Sequence, residues 1–177
     1  MKYRLVVYVL LGLGAAPLAH ADNVEIALKH NLDGFLSGYC LDIVGSGSRA
    51  ALEKGLQSHT CYSYRGDLGI DQVFDSGKFV DNQLYLPQFK VCAQLSEIAV
   101  GATVGLSQCD NSELQQIKFA EDGTLRPVKD NLLCLTAGLA TKRGRGGTSD
   151  HQIKTLTLQS CSEQRQIFQQ WYGRTQA

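Results

Sequence analysis

The stretch that decides the fold covers residues 39–74. It opens Tyr39-Cys40-Leu41-Asp42-Ile43, passes through Leu56-Gln57-Ser58-His59-Thr60-Cys61 and closes on Asp71-Gln72-Val73-Phe74. The pattern returns twice. Val91-Cys92-Ala93-Gln94-Leu95, Val104-Gly105-Leu106-Ser107-Gln108-Cys109 and Leu114-Gln115-Gln116-Ile117 make a second copy. Leu133-Cys134-Leu135-Thr136-Ala137, Leu156-Thr157-Leu158-Gln159-Ser160-Cys161 and Arg165-Gln166-Ile167-Phe168 make a third. Each copy reads as a cysteine in a short apolar strand, a second short strand ending in cysteine, and then Gln-x-apolar. A unit of this size cannot bury its apolar face alone, so repetition is how the chain acquires a core.

The residues around the repeats agree with short strands. Val24, Ile26 and Leu28 alternate, which predicts a first strand with one buried face. Asp33-Gly34, Ser37-Gly38 and Asp122-Gly123 are turn signals, the last suited to a tight hairpin. No segment carries the 3.6 period over helical length. Leu56, Val104 and Leu156 hold the same place before the second cysteine of each copy, and Phe74, Ile117 and Phe168 the third place of Gln-x-apolar. In a threefold barrel such equivalents converge near the axis. The reading is an all-β chain of three units, too few for most propellers, with boundaries near residues 22–82, 83–126 and 127–177. Two segments break the repeat. Residues 62–69 have no counterpart in the other copies, and residues 141–150, with Lys142, Arg143 and Arg145 among glycines, predict an exposed, mobile loop.

Lys2 and Arg4 precede an apolar run too short to span a bilayer, followed by Ala19-His20-Ala21. Residues 1–21 therefore read as a secretory signal peptide, residues 22–177 as the exported domain, and the location as periplasmic or extracellular. No later run is long enough for a membrane span. The 17 basic residues balance 17 acidic ones, and removing Lys2 and Arg4 leaves a slight acidic excess, unlike a nucleic-acid binder. The six cysteines argue for disulfides in an exported chain. The repeat selects Cys40–Cys61, Cys92–Cys109 and Cys134–Cys161, at separations of 21, 17 and 27. Closures of this size stabilise by about 3 kcal/mol each. Without a C-x-x-C pair, no zinc site is expected, and no cofactor is implied.

The three copies resemble the ricin B-type lectin family, a β-trefoil, over nearly all of residues 22–177. The family pattern is Cys-Leu-Asp-Val, Gln-Leu-Trp-x-Cys and Asn-Gln-x-Trp, repeated three times. Here it is carried by Cys40-Leu41-Asp42-Ile43, by Gln57 to Cys61, by Asp71-Gln72-Val73-Phe74, and by the run from Asp122 to Arg126. The resemblance implies one disulfide per unit and a sugar site in each working unit. In such a site the aspartate accepts bonds from sugar hydroxyls and an aromatic two before the second cysteine lies under the ring. An Asn and a Gln complete the polar set. A sugar needs this combination because it has an apolar C–H face and an edge of hydroxyls.

Carried over by position, the first unit supplies Asp42, Gln57, His59 and Asp71, with Gln72 as the framework glutamine. His59 stands where the family has a larger ring, and Asp71 where it has Asn. The second unit offers Gln94, Gly105, Ser107 and Leu114 and the third Thr136, Thr157, Gln159 and Arg165, neither with a carboxylate or an aromatic. Tyr62, Tyr64, Arg65 and Asp67 are placed to wall the first-unit site. Trp171 is read as lying past the last motif. No nucleophile or metalloprotease motif occurs, so the chain is not read as an enzyme. The expectation is a secreted lectin-like β-trefoil that binds galactose-type glycans weakly at the first unit. The alternative is a toxin-delivery or protein-interaction subunit that keeps the fold without sugar binding and serves a partner protein.

Overall fold

The computed structural model describes residues 22–175; the expected signal peptide lies outside the described residues. The first unit contains β1 (Asn23–Leu28), β2 (Tyr39–Ile43), β3 (Leu56–Thr60) and β4 (Val73–Asp75). The second contains β5 (Tyr85–Leu86), β6 (Val91–Leu95), β7 (Val104–Ser107) and β8 (Ile117–Phe119). The third contains β9 (Leu125–Pro127), β10 (Leu133–Ala137), the added strands β11 (Lys142–Arg143) and β12 (Gln152–Lys154), then β13 (Leu156–Ser160) and β14 (Trp171–Arg174). Three equivalent hairpins, β2–β3, β6–β7 and β10–β13, cap a barrel in which β1 pairs with both β4 and β14, and β8 with β9. This is an all-β trefoil.

Each hairpin carries its own disulfide: Cys40–Cys61, Cys92–Cys109 and Cys134–Cys161. The core is threefold, as the equivalences require. Leu56, Val104 and Leu156 are buried together at the hairpin end of the axis. Gly55 lets two hairpins meet there: its φ is 71°, and a Cβ would lie 2.3 Å from the carbonyl oxygen of Val104. At Asp122-Gly123 the β8–β9 hairpin turns with Gly123 at φ 83°.

One register in the third unit differs from the expectation. Trp171, not Phe168, joins Phe74 and Ile117 in the core; it is 1% exposed, and its indole N–H donates to the Leu135 carbonyl at 3.0 Å. The motif of that unit is therefore Gln169-Gln170-Trp171, and Gln166-Ile167-Phe168 lies in the one-turn helix α1 (Gln166–Gln169) that leads into it. Both triplets satisfy Gln-x-aromatic, and the extra turn between cysteine and glutamine concealed the choice.

Two further expectations change. β1 is buried on both faces, because Glu25 is covered as well: one oxygen accepts from Arg174 of β14 at 2.7 Å and the other from the Ser63 amide at 3.0 Å. Residues 141–150 are largely exposed, as expected, but they are tied down at one end. β11 pairs with β12, and β12 pairs with β3 of the first unit, His59 opposite Ile153. Buried Lys154 fastens this insertion by an ion pair to Asp33 at 3.0 Å, with its ammonium 5.1 Å from the Tyr39 ring centroid. Burial works against the charge on Asp33, but hydrogen bonds from Thr141, Lys154 and Tyr39 outweigh it and hold the carboxyl down at about 2. Among the described residues, no helix is long and apolar enough to cross a membrane.

Candidate functional site

Three glutamines organise the units in the same way. In the first, the Gln72 amide donates to Asp42 at 2.9 Å and to the Thr60 carbonyl at 3.0 Å, while its oxygen accepts from the Tyr62 amide at 2.9 Å. In the second, Gln115 donates to Gln94 at 3.0 Å and the Gln108 carbonyl at 2.8 Å, and accepts from the Asp110 amide. In the third, Gln169 donates to Thr136 at 2.9 Å and the Ser160 carbonyl at 3.0 Å, and accepts from the Ser162 amide. The residue after Cys-apolar is thus the acceptor of a framework glutamine in every unit, whatever its side chain.

The first unit brings Asp42, Gln57, His59, Asp71 and Gln72 together, but not as an open surface. Asp42 is 0% exposed, and its two oxygens accept from Gln57 at 2.8 Å and Gln72 at 2.9 Å. Burial raises its pKa well above the ordinary aspartate value, and neighbouring Asp71 adds to the rise while the two amides oppose it. Asp71 is 1% exposed; Oδ2 accepts from the Gly47 amide at 2.6 Å, and Oδ1 is buried with no hydrogen-bond partner among the described residues. A buried acceptor left unpaired costs about 1–3 kcal/mol. Asp71 lines a cavity of about 220 Å³ with Ser46, Gly47, Tyr62, Arg65 and Asp67. Tyr62, Arg65 and Asp67 of the inserted segment line this cavity, in a 3-10 turn over Tyr62–Arg65 and just beyond it, whereas Tyr64 does not.

His59 is not the open platform expected. It is 5% exposed, its ring centroid lies 5.5 Å from Tyr62 and 5.2 Å from His151, and Nδ1 bonds the Thr60 carbonyl at 2.9 Å. Burial lowers its pKa. His151 reaches it from the third-unit insertion, carried by the strand pairing of β12 with β3. No local signal marks His151, since it lies outside every motif. Tyr62 is 8% exposed; burial raises its phenol pKa, and both Asp42 and Asp71 push it further.

The third unit is more open. Thr136, Thr157, Gln159 and Arg165 line a cavity of about 280 Å³, and the shifted register adds Phe168 to its wall. That unit therefore does have an aromatic, at the place directly before its framework glutamine, where the first unit has Asp71. Arg165 is tied to Gln159 at 2.9 Å. The second-unit candidates Gly105 and Ser107 lie on β7 opposite Gln94 and Cys92 of β6, without a ring beside them. Glu25, Cys40 and Cys61 place a carboxylate and two sulfurs together, but both sulfurs are bound to each other and are not free to ligate.

No protein-family model matches the sequence, and no curated protein does either. Solved structures do match. The β-trefoil lectin of the Vibrio vulnificus hemolysin/cytolysin, solved with N-acetyl-D-lactosamine bound, superposes with a TM-score of 0.56 at 15% identity, covering 89% of this chain and 96% of that one. The agglutinin from Abrus precatorius gives a TM-score of 0.60 at 19% identity over 91% of this chain; the match spans only 51% of the agglutinin chain. Likeness at these identities speaks for the backbone arrangement. Together with three disulfide-closed hairpins and the thrice-repeated glutamine framework, it shows that the chain has the β-trefoil fold of the ricin B-type lectins.

Proposed function

We propose that the chain is an exported glycan-binding β-trefoil, not an enzyme, which takes a galactose-type sugar weakly at the first unit. The observation that carries this reading is Asp71 Oδ1, a buried acceptor without a donor at the wall of a cavity of about 220 Å³. A sugar hydroxyl supplies the missing donor. The volume falls below the roughly 300–1,000 Å³ typical of drug-sized ligands, so a single ring is the natural occupant. Asp42, close enough to Asp71 to feel its charge, is held by two glutamine amides and does not line the cavity, while Tyr62 and Arg65 do. Three disulfides suit an oxidising compartment, in keeping with a cleaved leader over residues 1–21. The lactosamine-bound Vibrio lectin domain supports a galactose-type ligand by analogy of fold.

The test is retention of the disulfide-bonded chain on immobilised galactose and on a glycan array. Retention of the wild type and its loss in Asp71→Ala, with circular dichroism unchanged, is the expected result. One observation favours the second reading, a protein-interaction subunit: Asp42 is 0% exposed. If the wild type is held by no simple sugar, the glycan reading falls and the partner-subunit reading replaces it.

A further inference from the structure

The cover over the first-unit site is a cluster drawn from two distant parts of the chain. Tyr62, Tyr64 and Arg65 come from the first-unit insertion and His151 from the third. His151 packs edge-on against His59, Tyr62 and Tyr64, at centroid distances of 5.2, 5.5 and 6.1 Å. Its Nε2 lies 2.8 Å from the Tyr64 hydroxyl and 3.3 Å from an Arg65 Nη2. Arg65 Nε also donates to the Tyr64 hydroxyl at 3.0 Å, and the guanidinium lies over the Tyr62 and Tyr64 rings at 5.1 and 5.3 Å. A guanidinium has donors only, so this arrangement requires His151 Nε2 to be an acceptor and the imidazole to be neutral, with its proton on Nδ1.

We infer that this cluster is an acid-released latch: protonating His151 turns Nε2 from acceptor to donor, sets it against Arg65, frees Tyr62–Arg65 and uncovers Asp42. The inference rests on the first unit being the ligand site and names its regulation. The charged groups that face the switch are two against one. Arg65 and Arg145 both oppose a positive charge on His151, and Asp150 alone favours it; burial is the largest influence and also lowers its pKa. For His59, burial again dominates, with His151 and Arg65 adding to the fall and the Thr60 carbonyl and Asp71 opposing it. A histidine whose pKa is depressed on folding stabilises the closed form above its ordinary value of 6.5, and that contribution is lost as pH falls below it.

Amide hydrogen exchange tests the latch without any sugar. The Tyr62 amide is bonded to Gln72 and the Ser63 amide to Glu25, so both exchange slowly only while the segment is docked. The Asp110 and Ser162 amides, held by the equivalent glutamines of the other units, are internal controls. After correction for intrinsic rates, Tyr62 and Ser63 should exchange about tenfold faster at about pH 5 than at about pH 7.5, as expected for a segment that undocks locally. The midpoint should follow the His151 ring signal, and the controls should stay flat. His151→Gln, an acceptor at every pH, should lose the acceleration, and Tyr64→Phe should raise exchange at both pH values. Equal behaviour of the four amides, or an acceleration that persists in His151→Gln, overturns the latch. Retention on galactose at the same two pH values is read separately. An opening latch with no retention at either pH leaves this inference standing and removes the glycan reading.

Discussion

The first and third units solve the same framework with opposite exteriors. In both, a glutamine just ahead of the strand that follows the hairpin reaches to the residue after Cys-apolar and to a carbonyl of the second hairpin strand. In the first unit that acceptor is a fully buried carboxylate, and the Tyr62 ring beside the framework packs against a neighbouring unit's histidine. In the third it is Thr136, and the space outside it stays open between Phe168 and Arg165. The framework bond is therefore indifferent to function. Asp42 and Gln72 look like ligand residues in a motif, but the same positions in the third unit hold the hairpin together with no charge at all. What distinguishes a site is the layer outside the framework, and that layer comes from the two insertions.

The comparison breaks most visibly at Asp42. Asp42→Ala orphans the amides of Gln57 and Gln72 and should cost about 3 kcal/mol in urea unfolding, against about 1 kcal/mol for its counterpart Thr136→Ala. Equal losses would show that the charge adds nothing to the framework. For that reason Asp71, with its free oxygen, is the cleaner probe of binding. A second, smaller contrast sharpens the register of the third unit. Gln169→Ala should cost about 2 kcal/mol, because two acceptors and the Ser162 amide lose their partner, while exposed Gln166→Ala should change stability by less than about 0.5 kcal/mol. The opposite order would restore the Gln166-Ile167-Phe168 reading.

The pH dependence of unfolding separates the units again. His59 and His151, depressed on folding, remove stability as pH falls below 6.5. Asp42, raised on folding, contributes the reverse slope, gaining as pH falls from its folded value towards 3.8. His151→Gln should flatten the first slope in a urea-midpoint series, and Arg165→Ala in the third unit should leave it unchanged. The smallest expected effect is on Trp171. Buried at 1% exposure in the core, it should keep its emission when galactose is added, while strong quenching would move the site away from the first unit.

Much of this was legible in the chain. The three cysteine pairs, the hairpins and all of the named axis residues but Phe168 follow from a pattern repeated in phase, where each copy checks the others. The third-unit glutamine was not legible, because Gln166 and Gln169 both precede an aromatic at the right distance and only hydrogen bonding to Thr136 and Ser160 separates them. Glu25 looked like the solvent face of an alternating strand, and its burial depends on Arg174 at the other end of the chain. His151 was invisible for the same reason: the contact between β12 and β3 spans 92 positions from Thr60 to Gln152, and no local period encodes it.

The pairing of β1 with β14 has a consequence for the order of assembly. Residues 25–28 lie against residues 171–174, so the first strand of the trefoil finds its main neighbour in the last strand of the trefoil. Until then Ile26 and Leu28 lack their cover and Glu25 lacks its arginine. Closure at the very end gives the chain a high contact order and a correspondingly slow final step. The leading strand must wait until the rest of the trefoil has been made, with its apolar face available to other chains. A truncation that removes only Trp171–Arg174 would therefore open the barrel at its beginning as well as its end.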